Sequence, residues 1–353
     1  MIELLRVHDF RNYRDAEFRP APSVTTLVGD NGSGKSSLLE AIGLFSTLSS
    51  PRAPSLKVVV REGCDEAAAR LSAKDGAQLG VSIRSGRTVL RVGSSPAQAK
   101  DFLGRFRSVL FTPEDLDLVR GEPALRRRAL DDVLVQLRPG YRATRSDFER
   151  ALKQRNAALR EGLEMQAALY GEPLAASAAR ILESRREVIE RLRPAGAEVY
   201  TELAERGALE FAYRDTSESE GVTGKALVER LCDVYTRTLG NDLERGRTTV
   251  GPHRDDIDIT LDGREARWYA SRGEQRSAAL SFRLAELRLL PDAVLLLDDV
   301  LSELDPHRRR RVFEIAQDGQ TIVTATDSEI VPAAAKVEAL WTVTDGTLEE
   351  AMA

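Results

Sequence analysis

Apolar and polar residues alternate along the first hundred or so positions of the chain, as they do in half-buried β-strands. Turn residues separate the alternating runs, and the Ser85-Gly86 pair between two of them predicts a hairpin. The strands predicted by this pattern are 4–10, 16–18, 24–28, 81–84, 88–92 and 108–111. This part of the chain is therefore expected to be rich in β-sheet.

The pattern changes at about Pro123. From there to Leu203 apolar residues recur every three or four positions, which predicts helices, and prolines at 139, 173 and 194 are expected to divide them. No heptad repeat is sustained through this region, so a long coiled coil is not expected. Strand texture then returns in four segments, 248–261, 293–297, 321–324 and 340–343.

This order of segments favours one α/β domain that is split in sequence and carries an inserted, mainly helical lobe. We place the N-terminal part of the α/β domain at 1–122, the inserted lobe at 123–245 and the C-terminal part at 246–353. With 353 residues, the chain is long enough to bury a substantial core.

Composition limits the class of protein further. Charged residues make up 30% of the sequence, and no apolar run approaches the roughly 20 residues of a membrane-spanning helix. We expect a soluble, cytoplasmic protein without a signal peptide or membrane anchor. Cys64 and Cys232 lie far apart and are expected to be reduced thiols. The net charge of −5 argues against a uniformly positive surface, although a local basic face stays compatible with it.

A phosphate-binding loop is the strongest chemical signal in the sequence. It fits the pattern G-x-x-x-x-G-K-[ST] between a predicted strand and a predicted helix. Glycines let backbone N–H groups curl around a triphosphate, and the helix N-terminus adds partial positive charge. Lys35 is expected to reach the β- and γ-phosphates, and Ser36 to bind Mg²⁺. The predicted nucleotide-binding residues are Gly29, Asp30, Asn31, Gly32, Ser33, Gly34, Lys35 and Ser36.

A second element of the same chemistry lies in the C-terminal part. The apolar segment 293–297 ends at Asp298 and Asp299. In a P-loop ATPase such a strand, called Walker B, delivers one carboxylate to the Mg²⁺ shell, and the adjacent acid orients or deprotonates the attacking water. We therefore assign Asp298 to the metal, and Asp299 together with Lys35 to catalysis.

Two further segments flank this strand, and here the chain resembles the ABC-type ATPases. Their signature motif, L-S-G-G-Q or L-S-G-G-E, precedes Walker B, and an S-x-L-D loop follows it. A serine and a glycine at a helix start suit contact with an anionic γ-phosphate. The resemblance assigns Ser271, Arg272, Gly273 and Glu274 to a signature motif that acts on the nucleotide of a partner subunit, and Ser302 and Asp305 to the D-loop.

Three more segments make the resemblance more specific: Phe10 to Tyr13, Lys153 to Ala157 and Gly251 to Asp256. With these, the chain resembles the RecF family of bacterial recombination-mediator ATPases, related to SMC-type proteins, over essentially its whole length. The resemblance implies an ABC-type P-loop ATPase head without a long coiled coil, ATP and Mg²⁺ as cofactors, and slow hydrolysis that acts as a release switch. It also implies an ATP-dependent homodimer that binds DNA at gaps or stalled forks. RecR and RecO are the implied partners in loading RecA onto single strands.

The sequence departs from the usual ABC pattern at three places. Asp299 stands where most ABC ATPases have glutamate, and its shorter reach agrees with slow hydrolysis. The Q-loop glutamine is missing, and Glu114 is either its substitute or part of a surface turn. The switch histidine is also missing, and Thr326 and Asp327 are the candidates for its place.

DNA contacts are assigned to arginines, because guanidinium groups bind phosphates in contacts that weaken as salt rises. The candidates are Arg126, Arg127, Arg128 and Arg142, with Arg105, Arg107 and Arg145 as further ones. The alternative is a set of solvated helix faces paired with acids such as Asp131 and Asp132. No aromatic residues interleave with these arginines, so binding is expected to be independent of DNA sequence.

Two other classes of protein stay open at this point. Another SMC-like ABC ATPase of DNA maintenance, associated with a nuclease, would carry a much longer coiled coil. An unrelated P-loop enzyme, such as a small-molecule kinase or a GTPase, would leave Ser271 to Glu274 unexplained, and the sequence contains no N-K-x-D guanine element.

Overall fold

Two six-stranded sheets, a three-stranded sheet and a set of helices make up the chain, which this computed structural model describes at residues 1–53, 55–204 and 207–351. The strands are β1 Ile2–Phe10, β2 Tyr13–Phe18, β3 Val24–Val28, β4 Glu66–Ala73, β5 Gln78–Arg84, β6 Arg87–Val92, β7 Ser95–Ala97, β8 Ser108–Phe111, β9 Leu209–Arg214, β10 Asp256–Leu261, β11 Arg264–Glu265, β12 Val294–Asp298, β13 Thr321–Ala325, β14 Val337–Thr344 and β15 Thr347–Glu350. The helices are α1 Lys35–Thr47, α2 Ala99–Phe102, α3 Pro123–Leu137, α4 Tyr141–Arg160, α5 Glu164–Leu169, α6 Gly171–Ala204, α7 Gly224–Arg237, α8 Leu239–Arg245, α9 Ala266–Tyr269, α10 Arg272–Leu289 and α11 Pro306–Ile315.

One sheet brings distant parts of the sequence to a common edge. Its strand order is β15-β14-β3-β13-β12-β8, and all neighbours are parallel except β14 and β15. Parallel strands covered on both faces are near-continuous apolar runs, as β12 is. Because β3 and β12 are separated only by β13, the segments that follow their carboxyl ends meet at one edge of the sheet.

The second large sheet is antiparallel, with the order β2-β1-β4-β5-β6-β7. Helix α1 contacts strands of both sheets, and most of its residues are buried, including Leu38, Ile42 and Phe45. The Phe45 ring stacks on Phe102 with a centroid distance of 6.2 Å. The first residues of α1 are therefore fixed between the two sheets.

Helices α3 to α8 form the helical part of the chain, and its prolines behave differently from one another. The division expected at Pro139 is confirmed, because α3 ends at Leu137. Pro173 lies in the first turn of α6, where a missing N–H removes no intrahelical bond. The break expected at Pro194 is wrong, since the 34-residue helix α6 runs through it from Gly171 to Ala204. Buried residues lie on both sides of Pro194, and packing of α6 against α4, α7, α10 and β9 holds the helix together.

The helical part is not separate from the split α/β domain. Strand β9 pairs antiparallel with β10, and α6 packs against α10. The domain bounds at 122/123 and 245/246 stay a prediction. Among the described residues, none of the helices combines the length and apolar character needed to span a bilayer.

Candidate nucleotide-binding site

The loop between β3 and α1 is shaped by its glycines. Gly32 and Gly34 have φ of 84° and 123°, a region that residues with side chains rarely adopt. A Cβ at Gly34 would lie 2.7 Å from Nδ2 of Asn12, and one at Gly29 would lie 2.2 Å from the carbonyl oxygen of Val343. Backbone conformation and close approach of neighbouring segments therefore both require glycine here.

Two turns outside the loop hold it in shape. The Nδ2 of Asn12 and the N–H of Gly346 donate to the carbonyl oxygen of Ser33 at 2.7 and 2.9 Å. The hydroxyl of Tyr13 donates to the carbonyl oxygen of Gly34 at 3.0 Å. The Phe10 to Tyr13 segment thus turns β1 into β2 and at the same time supports the phosphate-binding loop.

Lys35 is the first residue of α1, and its side chain folds back over the loop. Its Nζ donates to the carbonyl oxygens of Gly29 and Asp30 at 2.7 and 3.0 Å, and the residue is 3% exposed. No side chain caps the N-terminus of α1, where helix N–H groups lack intrahelical partners. A triphosphate in the loop would therefore meet both a fixed ammonium and free backbone donors.

Ser36 and Asp298 lie next to one another at the edge of the parallel sheet. The Ser36 hydroxyl donates to Oδ1 of Asp298 at 2.7 Å, and the Thr324 hydroxyl donates to the same oxygen at 2.9 Å. Burial raises the pKa of Asp298, while these two hydrogen bonds oppose the rise. Hydroxyl and carboxylate oxygens are ligands that Mg²⁺ accepts, with phosphate oxygens and waters completing its shell. The predicted metal pair therefore fits Mg²⁺.

Thr324 also positions Asp299, a role that the sequence alone did not reveal. Asp299 has φ of 52°, and its N–H donates to the Thr324 hydroxyl at 2.9 Å. One hydroxyl therefore donates to Asp298 and accepts from Asp299. The one feature that could indicate Thr324 is its hydroxyl group within the buried strand β13, where Thr324 pairs with Asp298 of β12.

A cleft of about 610 Å³ opens beside the loop and contains the predicted catalytic pair, Lys35 and Asp299. Its other walls are formed by Arg11, Arg52 and the segment 58–62. Arg11 is held by the buried carboxylate of Glu40, with two nitrogen–oxygen distances of 2.9 and 2.7 Å. The sequence pattern does not indicate Arg52, Glu40 or the 58–62 wall.

The signature residues lie outside this cleft. Ser271 is the N-cap of α10, and it exchanges hydrogen bonds with Glu274: its N–H donates to Oε2 at 2.7 Å, and its hydroxyl accepts from the Glu274 N–H at 3.4 Å. Ser271, Arg272 and Glu274 are exposed, and Gly273 is half-buried. Among the described residues that line the nucleotide cleft, none belongs to 271–274.

The D-loop connects the second acid to the signature helix. The Ser302 hydroxyl donates to the carbonyl oxygen of Asp299 at 2.7 Å. Asp305 caps α11 and pairs with Arg308, whose Nη2 lies 3.4 Å from the carbonyl oxygen of Gly273. A change at Asp299 therefore has a short path to the start of α10.

The candidates for the two missing ABC residues lie at exposed positions. Glu114 is exposed in the 3₁₀ turn Pro113–Asp117, so the surface-turn alternative describes it. Thr326 and Asp327 are exposed beyond β13. The polar group of this strand that reaches the two acids is Thr324.

The predicted DNA-binding arginines separate into two groups. Arg126 is 3% exposed, and its guanidinium pairs with Asp256 at 2.7 and 2.9 Å and donates to the carbonyl oxygen of Leu118 at 2.7 Å. Its assignment to DNA is therefore wrong for this fold, because all of these contacts are internal. The buried Asp256 carboxylate is the reason that an arginine occupies this position.

Arg127, Arg128 and Arg142 line one cleft of about 690 Å³ between the helices and the antiparallel sheet, together with Arg145. Arg127 and Arg142 donate to backbone carbonyl oxygens. Burial lowers the pKa of both, and neighbouring arginines add to that effect. The same cleft also contains Asp131, Asp132 and Glu149, and Arg128 lies 3.7 Å from Asp132, as the acid-paired alternative expects. The cleft therefore carries charges of both signs.

The segments Lys153 to Ala157 and 248–255 bind each other. The predicted strand at 248–261 forms only from Asp256, because side-chain hydrogen bonds hold the residues before it in an irregular path. Buried Arg155 donates to Asp242 at 2.8 Å and to the Thr248 hydroxyl at 2.7 Å. Burial lowers the pKa of His253 to about 4, and its Nε2 bonds the Thr248 carbonyl oxygen at 3.0 Å. These segments therefore have a structural role in holding the helices to the sheet.

Replacing Asp242 with alanine tests that role. It leaves the fully buried Arg155 without its carboxylate, which we expect to destabilise the protein by about 3–5 kcal/mol. Lys153→Ala, an exposed change in the same motif, is expected to cost less than about 0.5 kcal/mol. Urea denaturation of both variants measures the difference, and equal midpoints would contradict the structural role.

Comparisons with known proteins place these features in a family. A family model described as the RecF/RecN/SMC N terminal domain matches residues 1–349. The chain is 38% identical to the DNA replication and repair protein RecF of Pseudarthrobacter chlorophenolicus, with 94% of each chain covered. It is 36% identical to that of Streptomyces avermitilis, with 98% of each chain covered. The chain belongs to the RecF family.

Solved structures agree with this assignment. The recombination mediator protein RecF-ATPrS in the RecFOR pathway has a TM-score of 0.90 at 28% identity, with all of this chain and 98% of the other covered. The corresponding RecF-ATP structure has a TM-score of 0.88 at 27% identity. An Smc head bound to the C-winged helix domain of ScpA has a TM-score of 0.58 at 15% identity, which supports the fold alone.

Membership in the RecF family confirms the predicted ABC-type ATPase head. Its members are DNA replication and repair proteins, the ATP-bound structures support ATP binding, and the family relationship implies ATP hydrolysis. The predicted lack of a long coiled coil holds for the part of the chain that the structure describes. The kinase and GTPase alternatives are excluded by the same relationship.

Proposed function

We propose that the chain is an ATP-dependent recombination mediator that dimerises on ATP, binds DNA at gaps or stalled forks and helps to load recombinase onto single strands. Slow hydrolysis acts as the release step. The observation that carries this proposal is the separation of two half-sites on one chain. The loop, Ser36 and Asp298 line one region, while the signature start of α10 is exposed elsewhere.

Each half-site lacks what the other provides. The loop and Lys35 bind the triphosphate within the subunit, and Ser36 with Asp298 would hold Mg²⁺, which neutralises phosphate charge when it is bound. The exposed N-terminus of α10 offers the Ser271 hydroxyl and the positive end of the helix dipole, which suit the γ-phosphate bound to a second copy. Two copies related by a two-fold axis would complete both sites at once.

Loss of the γ-phosphate would release the dimer. Asp299 lines the cleft and would orient a water for attack. When the γ-phosphate leaves, the signature loses the group that it contacts, and the Ser302 and Arg308 contacts connect this change to α10. The nucleotide would therefore set how long the dimer stays closed on DNA.

DNA binding is proposed for the cleft that contains Arg127, Arg128 and Arg142. Phosphates would bind the guanidinium groups of this cleft, and affinity should fall as salt rises. Partnership with RecR and RecO, and through them with RecA, is supported by the relationship to a protein of the RecFOR pathway.

Asp299→Asn separates ATP-driven dimerisation from hydrolysis. The amide keeps the size of the side chain but cannot accept a proton, so we expect hydrolysis to slow by about 10²–10³-fold while ATP still drives dimerisation. Light scattering with ATP, ADP and no nucleotide measures the dimer, and phosphate release measures turnover. Asp318→Asn, an exposed change away from the cleft, is the matched control.

A variant that stays monomeric at saturating ATP would count against the proposed dimer. DNA release gives a second readout on the same protein. If hydrolysis opens the dimer, DNA should dissociate more slowly from Asp299→Asn than from wild type in the presence of ATP. Equal dissociation rates would contradict hydrolysis as the release step.

A further inference from the structure

Two exposed aromatic residues lie directly before the signature motif. Trp268 and Tyr269, at the end of α9, are 68% and 70% exposed. The second tryptophan of the chain, Trp341, is 7% exposed. Tryptophan and tyrosine are enriched among the central anchors of protein interfaces.

The fold holds this aromatic pair in a fixed position. The side-chain amide of buried Gln275, in α10, donates to the carbonyl oxygens of Ala266, Arg267 and Ala270 at 3.0, 3.2 and 3.0 Å. The guanidinium of Arg267 lies 5.0 Å from the centre of the Trp268 ring. A preorganised pair loses less conformational entropy on binding than side chains on a free loop.

Two valines form an apolar patch on the wall of the nucleotide cleft, which also carries Arg11, Arg52, Arg61 and Glu62. Val58 and Val60 line that cleft, and Val58 is 52% exposed. The carbonyl oxygen of Val58 accepts a hydrogen bond from Arg11 at 3.1 Å, and Arg11 is itself held by Glu40. The chain therefore exposes a rigid aromatic pair beside its signature half-site and a fixed apolar wall beside its phosphate-binding half-site.

We propose that Trp268 and Tyr269 are the anchors of the ATP-bound dimer and pack on the Val58–Val60 wall of the nucleotide cleft in a second copy of the chain. This inference rests on the proposed function, in which Ser271 reaches the γ-phosphate of the other copy. Three residues span at most about 10 Å, so Trp268 and Tyr269 must then lie at the mouth of that cleft. The two-fold symmetry of such a dimer makes the contact twice.

The first test compares dimer dissociation constants in ATP by light scattering. Trp268→Ala and Tyr269→Ala should each weaken the dimer by at least about 10-fold, because an interface anchor is lost at two places. ATP affinity of the dilute monomer should change by less than about 2-fold, since neither residue contributes to its own cleft. Met165→Ala, which removes an 80% exposed apolar side chain from α5, should behave as wild type.

The outcomes separate this inference from the function on which it rests. If wild type remains monomeric in ATP, the proposed dimer and the anchor both fail. If wild type dimerises and the two aromatic variants match Met165→Ala, the anchor is overturned while the dimer stands.

Tryptophan fluorescence gives an independent measurement. Trp341→Phe leaves Trp268 as the single tryptophan of the full chain. ATP should then shift its emission to shorter wavelength in step with dimerisation, and the additional change Lys35→Ala should abolish the shift. An unchanged emission maximum in a sample that light scattering shows to be dimeric would overturn the proposed contact.

Discussion

Lys35→Ala is expected to lower the rate of ATP hydrolysis by about 10²–10³-fold, the typical effect of removing one preorganised group that stabilises charge in the transition state. The Lys35 ammonium is fixed at the mouth of the loop by the carbonyl oxygens of Gly29 and Asp30. Charge on the transferring phosphoryl oxygens develops where this group lies. Phosphate release at saturating ATP measures the effect, and titration with a fluorescent ATP analogue measures the accompanying loss of affinity.

The matched control is Lys74→Ala, which removes an exposed lysine from the turn between β4 and β5. It changes the net charge by the same amount and should leave hydrolysis unchanged. Thermal denaturation should show that both variants are folded. A folded Lys35→Ala variant that retains wild-type hydrolysis would show that the loop does not bind the triphosphate as described.

The parts of the site that the sequence predicted well are those built from local chemistry. Strand β3 lies at Val24–Val28 as expected, and the loop geometry follows from glycine at positions of positive φ. Walker B was predictable because a buried parallel strand is a continuous run of apolar residues in the sequence. Two acidic residues mark the point where this run ends. Ser36 and Asp298 are 262 residues apart, yet they meet because each follows or ends such a strand.

Long-range packing explains most of what the sequence did not reveal. Strand β4, whose sequence is Glu-Ala-Ala-Ala-Arg-Leu-Ser-Ala, consists largely of good helix formers, yet pairing with β1 and β5 makes it a strand. Packing against neighbouring elements likewise keeps α6 helical at Pro194. The helix or strand propensities of a segment contribute at most a few kcal/mol. The free energy gained when the segment buries apolar side chains on both of its faces is larger.

The charged residues show a related limit on what can be predicted from the sequence. Arg126, Arg127 and Arg128 are consecutive and chemically identical, but only the first is buried against Asp256, 130 positions away. The sequence leaves phosphate contacts and solvated, acid-paired helix faces open for all three. The partner of a buried charge is fixed by topology, so pattern analysis could not distinguish a structural arginine from one that lines an open cleft.

Mixing two inactive variants should restore part of the activity, because one nucleotide site is expected to draw on two chains. Lys35→Ala disables the loop, and Ser271→Arg places a bulky charge at the exposed signature start. In a mixed dimer, the intact loop of one chain meets the intact signature of the other, so one site of two is complete. Each mixed dimer should therefore turn over at up to about half of the wild-type rate.

A second mixture of variants is the control for this experiment. Lys35→Ala combined with Asp298→Asn damages the same half-site in both chains, since Asp298 lies 2.7 Å from Ser36 beside the loop. No mixed dimer of that pair has a complete site, and no recovery is expected. Ser271→Arg should cost only about 1 kcal/mol as a lost N-cap, so its folding can be verified by thermal denaturation. Recovery in both mixtures, or in neither, would show that the signature of one chain does not complete the cleft of the other.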